Sequence, residues 1–80
     1  MINVLFFARL KDEIGQAGLQ LGNEFSGKTI AELQHVLIAQ GMSALQDDSI
    51  RTALNQNFCN LDVVINSGDE VAFMPPVTGG

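Results

Sequence analysis

The sequence has 80 residues, 46% of them hydrophobic and 16% charged, which is room for one core but not two and too apolar for a disordered chain. Nine acidic residues against four basic ones leave a net charge of −5. That balance argues against nucleic acid and anionic membrane as partners and favours a protein with a basic face.

Cys59 is the single cysteine, so no internal disulfide is available and nothing points to secretion. The opening stretch, MINVLFFARLKDE, holds an apolar run too short to span a bilayer. No charged segment precedes it as in a signal peptide, and a cytoplasmic location is expected.

INVLFFA, residues 2–8, is a continuous apolar run containing β-branched and aromatic residues, which predicts a strand covered on both faces. Its alternation sets Ile2, Val4 and Phe6 on one side and Asn3, Leu5 and Phe7 on the other. RLKDEIG predicts a helical turn stopped by Gly15. GLQLGNEF alternates Leu19 and Leu21 against Gln20, a weaker strand signal and the expected hairpin partner of the first.

SGKTIAELQHVLIAQG gives the clearest helix. Thr29 and Glu32 have the spacing of a capping box, in which each side chain satisfies an otherwise unpaired backbone N–H of the other. Gly41 falls where a helix turns left-handed and stops. At about 100° per residue, Ile30, Leu33, Val36 and Leu37 form one stripe that must face a sheet.

MSALQDDSI predicts a turn or short helix, and RTALNQNFC one further strand. NLDVVINSGDEVAFM predicts a brief extended piece, a turn at Asn66-Ser67-Gly68-Asp69 and a final strand through Met74. The resulting order is β-β-α-β-β. A right-handed crossover then sets the last strand parallel to the first in the middle of a mixed sheet, with the helix across one face. The fold class expected is therefore α+β, a ubiquitin-like β-grasp, with the domain at 1–74 and an extended tail at 75–80.

Within that domain no constellation of reactive residues emerges. His35 lies roughly opposite the helix stripe and reads as a surface residue. Cys59 has no assignable base or electropositive neighbour and reads as a buried structural cysteine. Metal ligands at workable spacing are absent. Asp47-Asp48 and Asp69-Glu70 read as solvated turns or, alternatively, as docking charges. GQAGLQLG misses the spacing of both dinucleotide and P-loop motifs. No autonomous active site, metal or bound cofactor is expected.

The tail is different. Pro75 and Pro76 cannot extend a central ladder, and a proline pair favours the stiff, outward-projecting polyproline II conformation. At about 3.3 Å per residue, the segment from Pro75 to Gly80 reaches roughly 20 Å. Gly79 and Gly80 strip the steric bulk from around the α-carboxylate, so a narrow channel on a partner can admit it. That carboxylate is ionised at neutral pH and is a nucleophile toward an activated phosphate. Taken alone, the same residues also suit a frayed end.

VLFFARLKDEIG and GDEVAFMPPVTGG resemble the ends of the small subunit of molybdopterin synthase, in the ubiquitin-like sulfur carrier family, and the resemblance spans the whole chain. It implies that Gly80 is adenylated by a ubiquitin-activating-type adenylyltransferase at the expense of ATP and converted to a thiocarboxylate. The sulfur then passes to a cyclic pyranopterin precursor inside the large synthase subunit, building the dithiolene of molybdopterin. A heterotetramer of two large and two small subunits is implied. Gly80 maps onto the thiocarboxylate-bearing residue and Gly79 onto the required penultimate glycine. Phe7, Phe58 and Met74 map onto the subunit interface, with Pro75, Pro76, Val77 and Thr78 leading into the partner. Met74 departs from the aromatic often found there and keeps the site apolar.

Strand alternation adds support. If Ile2, Val4, Phe6, Val71 and Phe73 face the helix, then Leu5, Phe7, Ala72 and Met74 share the opposite sheet face. Left open, that face is an apolar docking surface ringed by acids that steer a basic partner; alternatively RLKDEIG or a loop covers it. A carrier for thiamin or another sulfur pathway, a ubiquitin-like modifier joined to lysines, and a passive interaction module remain as alternatives.

Overall fold

The computed structural model describes residues 1–76. Its elements are β1 (Ile2–Phe6), α1 (Arg9–Ile14), β2 (Gly18–Leu21), α2 (Ile30–Ala39), β3 (Arg51–Leu54), β4 (Asn57–Cys59) and β5 (Glu70–Met74). Single 3-10 turns occupy Asn23–Phe25 and Ser43–Gln46. The five strands form one sheet in the order β2-β1-β5-β3-β4. β5 is central, parallel to β1 and antiparallel to β3, as expected of a strand that returns by a crossover.

Alternation decides what each strand buries. Ile2, Val4 and Phe6 of β1 and Val71 and Phe73 of β5 are almost wholly buried against the α2 side. Ile30, Leu33 and Leu37 of α2 close over them. Val36 is only half-buried, at the margin of the stripe. Leu10 of α1, Leu45 and Ile65 complete this core.

Local signals act as their chemistry demands. The Thr29 hydroxyl accepts from the Glu32 N–H at 3.1 Å, and the Glu32 carboxylate accepts from the Thr29 N–H at 2.9 Å. Both partners of the capping box are therefore present. Two further N–H groups of the first turn of α2, on Ile30 and Ala31, donate to the carbonyls of Val63 and Leu61 at 3.1 and 2.9 Å. The extended piece after β4 thus satisfies donors that a helix leaves unpaired. At the other end Gly41 sits at φ 109°, which lets the Met42 N–H reach back to the Leu37 carbonyl at 3.1 Å.

Three expectations about the strands change. β1 is covered on one face only, because Asn3 is exposed and Leu5 half-buried. Residues 51–59 are not one strand but a hairpin, β3–β4, turning on Asn55 and Gln56 at φ 50° and 72°. Positive φ at both central residues is the type I′ geometry, whose twist matches the flanking strands. Glu70 lies in β5 and is half-buried instead of forming a solvated turn.

Candidate docking face and tail exit

Among the described residues nothing forms a second layer on the sheet face opposite α2. Phe7 continues β1 by one residue, its N–H donating to the Phe73 carbonyl at 3.1 Å, and so carries its ring to that outer face, 47% exposed. Phe58 reaches the same face from β4 and is 63% exposed. Between them Ala53 and Ala72 are register partners, and their small side chains make a low floor, each 5% exposed. Met74 closes one end. The result is a groove of about 500 Å³ lined by Leu5, Phe7, Ala53, Phe58, Ala72 and Met74, with Gln56 and Glu70 at its margin. α1 does not cover it, because Leu10 anchors α1 in the core on the α2 side.

The far edge of the groove is pinned by a polar lock. Asn55 gives its Nδ2 to Asp69 at 3.0 Å and takes the Glu70 N–H on its Oδ1 at 2.9 Å. Its own N–H donates to the Glu70 carbonyl at 2.8 Å. The β3–β4 turn is thereby fixed to the start of β5, and Phe58 takes its place across from Ala53. Asp69 also caps the preceding turn by accepting the Asn66 N–H at 2.8 Å. It is a structural acid, not a free docking charge.

The exit of the chain lies beside this groove. Met74 is the last residue of β5, paired with Arg51 of β3, and Pro75 and Pro76 follow, half-buried. Proline cannot donate to the ladder, so pairing stops there. Phe7, Phe58 and Met74 thus share one face, and Pro75 and Pro76 continue the chain from its Met74 end. The expectations for Val77, Thr78, Gly79 and Gly80 lie outside the described residues.

Elsewhere the chain offers little chemistry. His35 is exposed, on the side of α2 away from the sheet. Cys59 is half-buried, a correction to its expected full burial; the Thr52 hydroxyl donates to its carbonyl at 2.9 Å. Asp47 is held below the usual carboxylate range by hydrogen bonds from the Ser49 hydroxyl and then the Ser49 N–H, with Arg9 adding a smaller attraction. Its 3.2 Å ion pair with Arg9 ties the 3-10 turn to α1. Among the described residues no three His, Cys, Asp or Glu side chains gather to hold a metal ion, and no helix is long and apolar enough to cross a membrane.

Alternation along β1 and β5 names Leu5, Phe7, Ala72 and Met74 from sequence, but it misses Ala53 and Gln56. Read as one strand, residues 51–59 place Ala53 and Phe58 on opposite faces. The Asn55-Gln56 turn resets the parity. Asn is the available signal, since it tolerates positive φ better than most residues, but Gln56 does not announce a turn.

Comparison with known proteins agrees with this geometry. The model of the ThiS family matches residues 4–80. Relatives named molybdopterin synthase sulfur carrier subunit, from Haemophilus influenzae and Escherichia coli, are each 39% identical over the full length of both chains. One of the same name from Dictyostelium discoideum is 36% identical, covering 96% of this chain and 93% of that one. Among solved structures, SAMP1 from Haloferax volcanii superposes with a TM-score of 0.79 at 24% identity, covering 99% of this chain and 98% of that one, a likeness of fold. A complex of subunits 1 and 2 of molybdopterin-converting factor from Helicobacter pylori gives a TM-score of 0.67 at 25% identity, covering 99% and 97%. The chain belongs to the ThiS family, and within it to the molybdopterin synthase sulfur carrier subunits.

Proposed function

We propose that this domain delivers sulfur from its own C-terminal glycine to a pterin precursor bound by a larger partner. One observation carries the proposal: the open apolar groove adjoins the point where β5 ends and the chain departs toward Gly79 and Gly80. A partner seated on Phe7, Phe58 and Met74 receives the following residues directly into its interior.

The chemistry is as follows. A Gly80 carboxylate oxygen attacks the α-phosphate of ATP and displaces pyrophosphate, giving a mixed anhydride. A sulfur nucleophile attacks the carbonyl carbon, AMP departs, and a thiocarboxylate remains. That sulfur attacks a carbon of the pterin precursor in the large subunit and takes the place of an oxygen there; water then attacks the Gly80 carbonyl carbon, breaking its bond to sulfur and restoring the carboxylate. Phe7, Phe58 and Met74 supply binding, Pro75 and Pro76 direct the chain outward, and Gly79 and Gly80 give clearance. The domain itself holds no cofactor; ATP is consumed by an adenylyltransferase of the ubiquitin-activating type. Two small and two large subunits make the complete synthase. The shared name of relatives at 39% identity supports this pathway over thiamin biosynthesis or protein conjugation.

Deleting Gly80 tests the assignment. Sulfur transfer should vanish while the thermal midpoint stays within a degree or two, because the ladder of β5 ends at Met74. A truncated chain that still transfers sulfur removes Gly80 from the mechanism.

A further inference from the structure

The five strands carry only two charged residues between them, Arg51 in β3 and Glu70 in β5. Both stand on the outer face, at opposite ends of the groove. Glu70 lines the end near the Asn55 lock. Arg51 is the register partner of Met74 and so sits where the chain leaves the sheet. Four residue steps along β5 separate Met74 from Glu70, about 13 Å at the usual rise.

Arg51 is exposed, and its guanidinium lies 5.1 Å from the centroid of the Phe58 ring. A cation held over an aromatic face has already given up much of its rotamer freedom, and a guanidinium so placed keeps its outward N–H groups available. Among the described residues it has no carboxylate partner, whereas Arg9 is engaged by Glu13 and Asp47.

We propose that Arg51 is a positioning residue that fixes the orientation of docking by pairing with a carboxylate on the rim of the large subunit, beside the channel that admits the tail. The inference rests on the docking reading above and adds the chemistry of the partner at one point. The anion is a partner carboxylate and not a phosphate of the reacting molecules. Gly80 follows Met74 by six residues, and a chain of that length spans up to about 20 Å when extended, which carries its carboxylate away from an arginine anchored in β3.

Orientation needs such a device. An apolar groove with a flat alanine floor binds in either sense along its length, yet only one sense leads the tail inward. The chain is acidic, with net charge −5, so its partner is largely basic. A reversed complex sets Arg51 against that basic surface and Glu70 against the carboxylate. Like charges in both places reject it.

The test is calorimetric titration of the full-length carrier with the large synthase subunit at low and high salt, comparing Arg51→Gln, Arg51→Lys and Arg51→Glu with Phe7→Asp. Arg51→Gln should weaken binding about tenfold at low salt and Arg51→Glu about a hundredfold, as expected for a charge-assisted bidentate contact. Arg51→Lys should recover part of the loss. The difference between wild type and Arg51→Gln should shrink at high salt, which a purely structural role does not produce. In turnover, the half-saturating carrier concentration should rise while the rate at saturation holds. Binding by Arg51→Gln and Arg51→Glu within twofold of wild type, with Phe7→Asp abolishing it, overturns the role of Arg51 and leaves the docking face intact. Unimpaired binding by Phe7→Asp overturns both. A loss confined to the saturated rate shows Arg51 acting on the tail, and also overturns the proposal.

Discussion

Phe6 of β1 and Phe73 of β5 are register partners across the parallel pair, their ring centroids 6.1 Å apart and their planes at 22°. Both are buried beneath α2. The next residue on each strand, Phe7 and Met74, projects to the other face. A slip of one residue would exchange core and groove, so this pair holds core and docking face in register together.

Phe73→Ala should therefore cost about 3–5 kcal/mol, the range for emptying a large buried aromatic site. That is a substantial part of the total stability of about 5–15 kcal/mol usual for a domain. Urea unfolding followed by far-UV circular dichroism reads the loss. A cost below about 1 kcal/mol would show that the site collapses around the missing ring.

The capping box predicts a pH dependence. The Glu32 carboxyl is held below its ordinary value, first by the hydrogen bond from the Thr29 N–H and then by the Thr29 hydroxyl. A carboxyl lowered in the folded state stabilises the fold above its unfolded pKa, and the contribution is lost as pH falls through the folded pKa. Thermal midpoints of wild type and Glu32→Ala should differ at neutral pH and converge in acid below the usual carboxylate range. Asp47→Ala should behave likewise through Ser49. Thr29→Ala should lose about 1 kcal/mol at neutral pH. A gap between wild type and Glu32→Ala that is constant across the acid range would deny the carboxylate its role.

Phe7→Asp separates folding from docking. The ring is 47% exposed, so the free domain should unfold within a few degrees of wild type. Assembly with the large subunit should fail, because the interface would enclose an unpaired carboxylate. Co-purification with the large subunit after coexpression checks this, and normal recovery of the complex would move the interface elsewhere.

Much of this molecule was legible in the sequence because its signals are periodic or terminal. Ile2, Val4 and Phe6 alternate, Ile30, Leu33 and Leu37 repeat at helical spacing, and Thr29 with Glu32 marks a helix start. The groove was half legible: Leu5, Phe7, Ala72 and Met74 follow from the parity of two strands. Ala53 did not, since its face is set by the pairing of β3 with β5, and the tight turn at Asn55 and Gln56 that brings Phe58 beside it carries no glycine. Arg51 could not be singled out either. Its meaning comes from lying opposite Met74 and over Phe58, contacts set by the pairing of β3 with two other strands.

The central claim is that the reactive group is the carboxylate of Gly80. Its most direct test is intact-protein mass spectrometry after incubation with the adenylyltransferase, ATP and a sulfur donor. The account predicts a gain equal to one sulfur replacing one oxygen, localised to Gly80 and absent without ATP. An unchanged mass beside an active partner, or a gain placed on Cys59, would contradict it.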